Sequence, residues 1–187
     1  MTTATYVSIP HLEIGGETAP DELMNDIQQL SVEESLHLPA AFTIVVENPY
    51  YSNESPWRHE DYFTLGQTIR IGFQGSKTSD QAFRQPTMNY LIQGEITGIE
   101  SHFSAESQAP IIVRGYDTSH RLHRGRHNRS FQDYTDSDIV EEIAAEVGIE
   151  IGQVDSSGEP RAYIFQENQK LLCFQLLWDL VYEPLIF

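Results

Sequence analysis

Three histidines lie close together in the sequence and are the residues best suited to binding a metal ion. They are His120, His123 and His127. A zinc site needs ligands that converge on one tetrahedral centre, and three histidines at these spacings do not converge easily on one helix. Gly125 interrupts the segment, and four nearby arginines would repel a cation. We therefore predict no metal site here, and a short helical turn over residues 120–123 with Leu122 buried.

The sequence contains no recognised catalytic motif. It has no Gly-x-Ser-x-Gly elbow, no glycine-rich phosphate loop and no His-Glu-x-x-His pair. Acidic pairs such as Asp136 with Asp138 do not discriminate, because 28 of the 187 residues are acidic. Cys173 lies between Leu172 and Phe174, which favours packing over nucleophilic chemistry. We expect a protein that is not an enzyme and needs no cofactor.

Charge is distributed unevenly along the chain. With 28 acidic and 11 basic residues the formal charge is −17, which disfavours direct binding to nucleic acid or to an anionic membrane. One patch is strongly basic, and it comprises Arg114, Arg121, Arg124, Arg126 and Arg129. Such segregation suits pairing between complementary faces of subunits, and a solvated surface is the alternative interpretation.

A helix directly after the basic patch is the best-defined element. Thr135 is a predicted N-cap, Asp138 completes a capping box, and Gly148 is a predicted left-handed stop. The apolar residues between them recur at helical spacing: Ile139, Val140, Ile143, Ala144 and Val147. This pattern predicts one amphipathic helix packed on a sheet.

Alternating apolar and β-branched residues predict strands before and after this helix. The predicted strands cover residues 5–14, 41–46, 65–73, 90–103, 111–113, 130–132, 149–151 and 162–165. Residues 22–36 fit either a helix or a long strand. Gly94 and Gly98 are expected to bulge their strand so that the sheet curls.

Turn chemistry is expected where the strand at 111–113 ends. Gly115, Tyr116 and Asp117 follow it, and Asp117 is predicted to cap the turn that contains His120 and to orient Arg121. Several strands separated by such turns indicate a small antiparallel barrel with few exposed edges.

A loop over residues 50–61 contains three aromatic residues, Tyr50, Tyr51 and Trp57. Residues of this kind stack on sugars or grip a partner, although they more often cover a sheet edge. The loop therefore supports an alternative function, a carbohydrate-binding or partner-binding β-barrel module.

Six short motifs, in their order and spacing, resemble the phage late-control protein D family. They are Val113-Arg-Gly-Tyr-Asp117, His120-Arg-Leu-His123, Arg129-Ser-Phe131, Asp138-Ile-Val140, Val147-Gly148 and Phe165-Gln-Glu-Asn-Gln169. This family includes baseplate hubs of contractile phage tails, the hub part of valine-glycine-repeat spike proteins in type VI secretion, and relatives in contractile injection systems. The resemblance covers residues 7–169, and it favours a strand at 22–36.

The resemblance implies a structural hub component that links the tail tube to the spike, forms an oligomeric ring and catalyses nothing. Implied partners are two further copies in a homotrimer, the tube protein, the spike protein and other baseplate subunits. The implied interface residues are Arg121, Arg124, Arg126 and Arg129, which would meet carboxylates of a neighbour. Assembly is expected in the bacterial cytoplasm, followed by a place in a phage tail or injection particle.

The expected fold is α+β, mainly antiparallel β: a small curled barrel, one packed helix and a C-terminal helical segment. Residues 1–135 would form the barrel, the first half of a family hub, and residues 136–169 the helix and closing strand of the same domain. Residues 170–187 form an apolar tail that departs from the family, which indicates either an incomplete relative or a segment that docks on a partner. The start of the sequence lacks a secretion signal, and no stretch is apolar enough to insert into a membrane.

Overall fold

The computed structural model describes residues 6–36, 38–48, 59–77, 87–101 and 110–166. Its elements are β1 (Tyr6–Ile14), β2 (Glu17–Thr18), α1 (Asp21–Asp26), β3 (Ile27–Ser35), β4 (Leu38–Val46), a 3-10 turn (Glu60–Tyr62), β5 (Thr68–Lys77), β6 (Thr87–Ser101), β7 (Ile111–Asp117), a second 3-10 turn (Thr118–His123), β8 (Arg129–Phe131), α2 (Asp136–Val147) and β9 (Ile164–Gln166). The chain divides into two compact units, Met1–Thr118 and Ser119–Phe187. The prediction that residues 1–135 and 136–169 belong to one domain stays a prediction.

Seven strands of the first unit form one antiparallel sheet. Their order across the sheet is β2-β1-β5-β6-β7-β4-β3, and all neighbours pair antiparallel. Within the described ranges, β3 and the two-residue β2 lie at the edges. The sheet curls into half a barrel, which confirms the predicted fold class.

One face of this sheet supplies the hydrophobic core of the first unit. Side chains two residues apart on a strand share a face, so Leu12 with Ile14 and Ile69 with Ile71 are buried together. The remaining strands add Phe42, Ile44, Val46, Ile92, Ile96, Ile111 and Val113. Burying each side chain of this size contributes about 1.5–3 kcal/mol.

Irregular pairing among the middle strands bends the sheet. The register of β5 with β6 shifts between Ile71 and Gly72, and that of β6 with β7 shifts between Ile96 and Gly98. Each shift inserts an unpaired residue, which increases the local twist. The bulge predicted at Gly98 is thus present, whereas Gly94 pairs regularly with both neighbouring strands.

Residues 22–36 do not form the one long strand that was predicted. They begin as α1, where Pro20 at the N-cap has a φ of −68°. Leu23 is completely buried in the core. The helix ends at Asp26, and the predicted strand covers only Ile27–Ser35 of this segment.

Leu65 also lies outside the strand predicted for residues 65–73. It is 62% exposed, in a turn where Gly66 has a φ of +82° and the amide of Gln67 donates to the carbonyl of Thr64. Because this turn uses the backbone groups that a strand would need, β5 begins at Thr68.

The end of β7 and the segment after α2 also differ from the prediction. Strand β7 continues through Gly115 to Asp117, because β4 and β6 pair with it on both sides. Ile149 and Ile151 do not begin a strand. Instead, the amide of Ile149 donates to the carbonyl of Ala144 at 2.8 Å and completes the end of α2.

The second unit is built around α2. Thr135 Oγ1 accepts from the amide of Asp138 at 3.1 Å, and Asp138 Oδ2 accepts from the amide of Thr135 at 2.9 Å. Gly148 is left-handed, with a φ of +70°. The apolar stripe packs on the β8–β9 pair through Ile139, Ile143, Phe131, Leu122 and Ile164. The predicted amphipathic helix is confirmed.

Residues 170–187, predicted to include a helical segment, and Cys173 lie outside the described residues. Among the helices that are described, none is long and apolar enough to cross a membrane.

Replacing Gly115 with alanine is expected to lower the free energy of unfolding by about 1–3 kcal/mol, the usual cost of overfilling a packed site. A Cβ there would overlap the carbonyl oxygen of Glu95 and the ring of Phe42. Gly98→Ala is the matched control, because a Cβ at Gly98 meets no atom within 4 Å. Urea unfolding followed by circular dichroism measures both, and equal losses would show that the close approach of the strands at Gly115 does not exclude a side chain there.

Candidate assembly surface

Arg121, the first predicted interface residue, is bound by the end of α2. Its Nη1 donates to the carbonyl oxygens of Val147, at 3.2 Å, and Gly148. The last carbonyls of a helix lack intrahelical partners and form the negative end of its dipole, so a guanidinium stabilises them. A Cβ at Gly148 would lie 3.1 Å from the same nitrogen. Arg121 therefore ties the 3-10 turn at Thr118–His123 to α2.

Arg129 is also used within the chain. Its Nη1 forms an ion pair with Oε2 of Glu146, and only 17% of its side chain is exposed. Nδ1 of His127 lies 3.9 Å from the other oxygen of that carboxylate. These contacts link the start of β8 to the exposed side of α2.

Arg124 and Arg126 are both exposed. Nη2 of Arg124 donates to Nε2 of the buried His120 at 2.7 Å. Arg126 has no hydrogen-bond or ion-pair partner among the described residues. The four predicted interface residues thus divide into an anchored pair and an exposed pair, and their role between subunits stays a prediction.

The residues around the end of β7 have distinct positions. Oδ2 of Asp117 accepts from the amide of Ala40 at 3.0 Å, which links β7 to β4. Tyr116 is 42% exposed, whereas Gly115 is buried. Leu122 is half-buried against the core of the second unit. The predicted capping role of Asp117 in the following turn stays a prediction.

The aromatic residues of the predicted binding loop, Tyr50, Tyr51 and Trp57, lie outside the described residues. The alternative function based on them stays a prediction. In the described ranges, no group of three or more histidine, cysteine, aspartate or glutamate residues is arranged to hold a metal ion.

A polar cluster on the face opposite the core was not predicted. Glu13 accepts from Tyr90 Oη at 2.5 Å and from Arg70 Nη1 at 3.1 Å, and His11 Nε2 lies 3.3 Å from it. The guanidinium of Arg70 stacks 3.8 Å from the centre of the Tyr90 ring. The hydrogen bond from Tyr90 is the main cause that lowers the pKa of Glu13, and it raises the pKa of Tyr90.

Alternation along the strands could have placed part of this cluster. Glu13 lies between Leu12 and Ile14, and Arg70 lies between Ile69 and Ile71, so both must face away from the core. Only the register of β1 with β5 brings them opposite each other. That register depends on tertiary structure and has no local signal.

A second unpredicted pair in the first unit joins the buried His59 to the partly exposed Asp26. Nε2 of His59 lies 2.7 Å from Oδ2 of Asp26, and His59 is 1% exposed. The His59 ring centre lies 5.8 Å from that of Tyr62. The pair connects the 3-10 turn at Glu60–Tyr62 to the end of α1.

No protein-family model matches the chain, and no curated protein matches it. Solved structures do match. The 43 kDa tail protein of prophage MuSo2 from Shewanella oneidensis aligns with a TM-score of 0.61 and 18% identity, over 91% of this chain and 47% of that chain. This chain has the fold of a phage tail protein.

Two further structures agree with that fold. The E. coli c3393 protein, a type VI secretion component with structural similarity to the T4 tail proteins gp27 and gp5, aligns with a TM-score of 0.55 and 22% identity, over 89% of this chain and 42% of that chain. The Francisella PdpA-VgrG complex aligns with a TM-score of 0.52 and 10% identity, over 88% of this chain and 23% of that chain. The predicted resemblance is confirmed as a likeness of fold. This chain spans less than half the length of each of the three similar chains.

Arg121→Ala is expected to lower the free energy of unfolding by about 1–2 kcal/mol, because it leaves the last carbonyls of α2 without their cation. Arg126→Ala removes the same kind of side chain from a position without a described partner. It is the matched control, with an expected change below about 0.5 kcal/mol. Thermal unfolding measures both, and equal effects would show that Arg121 does not stabilise the helix end.

The pKa of Glu13 gives a prediction for pH dependence. Because this pKa is lowered from its ordinary value of 4.5 in the folded chain, the carboxylate stabilises the fold above pH 4.5, and that contribution is lost as pH falls through the lowered pKa. Tyr90→Phe removes the main cause, so the titration midpoint of Glu13 is expected to rise. Carboxyl NMR shifts measure it, with Tyr163→Phe as the control. An unchanged midpoint in Tyr90→Phe would refute this assignment.

Proposed function

We propose that this chain is a structural component of a baseplate hub that links the tail tube to the spike in a contractile tail or injection system. The observation that carries the proposal is the curled antiparallel sheet, in a chain that aligns over 91% of its length with a phage tail protein. The chain acts by fitting against copies of itself and against the tube, and the proposal assigns it no catalytic step and no cofactor.

An oligomeric ring, with a homotrimer as the expected form, is supported by the open edges of the half-barrel. Within the described residues, β3 pairs on one side only, with β4. An open sheet edge leaves unpaired backbone donors and acceptors, which proteins protect or pair. Packing between copies around a central axis would cover such edges.

The proposed partners are the tube protein, the spike protein and other baseplate subunits. Two of the similar structures come from a type VI secretion component and from a PdpA-VgrG complex, which supports a position near a spike. The formal charge of −17 disfavours direct contact with nucleic acid. Assembly would take place in the bacterial cytoplasm, and the finished subunit would belong to a phage tail or injection particle.

The domain assignment remains part of this proposal. Residues 1–135 would supply the barrel that enters the ring, and residues 136–169 would supply the helix and closing strand of the same domain. The chain spans 47% of the prophage tail protein and 42% of the E. coli protein.

The position in the particle is the direct test. Particles that carry an epitope-tagged chain are labelled with gold-conjugated antibody and examined by electron microscopy. We expect one cluster of label per particle, at the junction between tube and spike. A tagged tube protein is the control and should label the whole tube. Label distributed along the tube, or no label on particles, would contradict the proposal.

A further inference from the structure

Among the described residues, two exposed arginines, Arg124 and Arg126, have no carboxylate partner, although the chain has a large excess of acid. There are 28 acidic and 11 basic residues, so a surface cation usually finds a carboxylate. Four arginines do so: Arg70, Arg114, Arg129 and Arg161. In contrast, the described contact of Arg124 is with the His120 ring, and Arg126 has no partner in the described ranges.

The segment that contains this pair is anchored on both sides. Arg121 binds the end of α2, and Arg129 is paired with Glu146. Groups that are already held in place lose less conformational entropy when they bind. A guanidinium has five donors, so Arg124 keeps most of them for a carboxylate after its contact with His120.

The second unit also has an exposed aromatic residue. Phe165 is 53% exposed and pairs with Ser130, the residue after Arg129. Protein interfaces are enriched in arginine and aromatic residues. We refer to Arg124 and Arg126 as the basic surface, and Phe165 is an exposed aromatic residue of the same unit.

The end of the β3–β4 hairpin has the opposite charge. Glu33 and Glu34 are exposed and have no partner among the described residues, and Leu36 and Leu38 are each 63% exposed. The pairing register shifts between Glu33 and Ser35, which takes Glu34 out of the regular ladder. Charges on an edge strand also prevent unwanted pairing, but that role does not require two exposed leucines. These two glutamates and two leucines form the acidic surface.

We infer that the basic surface of one copy binds the acidic surface of a second copy of this chain. The inference rests on the proposed ring and specifies the contact that closes it. Two different patches that complement each other produce a head-to-tail contact, which generates a ring when the rotation between copies closes. Arginine–carboxylate bonds fix the orientation, and the leucines with Phe165 supply apolar area.

Charge reversal with rescue tests the contact on the full chain. Sedimentation equilibrium measures self-association of the wild type, of Arg124→Glu with Arg126→Glu, of Glu33→Arg with Glu34→Arg, and of the chain with all four changes. Each reversed pair is expected to weaken association about tenfold or more, because close interfacial charge pairs couple strongly. The fourfold variant restores attraction with the signs exchanged, and its association is expected within about threefold of the wild type.

Glu17→Arg with Asp61→Arg is the matched control. It reverses two exposed acids of the unit that contains Glu33 and Glu34, and it changes the net charge as much as Glu33→Arg with Glu34→Arg does. It should leave association unchanged. Circular dichroism checks that each variant is folded. If a double reversal fails to fold, Arg126→Glu and Glu34→Arg are compared singly and together.

The outcomes separate the two proposals. A wild-type oligomer that is weakened by either reversal and restored by the fourfold variant supports the inference. A wild-type oligomer without rescue, or with equal weakening by the control, overturns the inference and leaves the proposed ring intact. A wild type that stays monomeric at every concentration overturns both.

Discussion

The curl of the seven-stranded sheet depends on places where two backbones approach too closely for any side chain. A Cβ at Gly72, Gly94 or Gly115 would overlap a carbonyl oxygen of the neighbouring strand. These three glycines lie on β5, β6 and β7, the consecutive middle strands. Strong local twist and curvature let one sheet enclose its own apolar face, as in small barrels. The curled sheet therefore leaves no room for a side chain at these three positions.

The second unit is stabilised in a different way, because its buried core is small. Its apolar cluster is centred on Phe131, Ile139 and Ile143, and a two-stranded sheet by itself is only marginally stable. Arg121 at the end of α2 and Arg129 beside Glu146 add charged contacts that hold the segment around this core. The backbone that carries the remaining exposed cations is thus held on both sides, which lowers the entropy cost of an assembly contact.

The sequence predicted elements whose signals are local. The limits of α2 follow from Thr135 and Gly148, and the strand alternation follows from residues such as Ile69 and Ile71. It did not predict features decided by distant partners. The helical start at Leu23 depends on a place in the core, and the division of the arginines into anchored and exposed pairs depends on where α2 ends. The cluster around Glu13 was also missed, because the register of β1 with β5 brings its residues together.

The mass of the full chain in solution tests the central claim, that this curled sheet exists to assemble with copies of itself. Light scattering coupled to size-exclusion chromatography measures it without labels. The account predicts a species of about three times the 21.3 kDa chain mass, stable on dilution through the micromolar range. A folded species of 21.3 kDa at every concentration would contradict it.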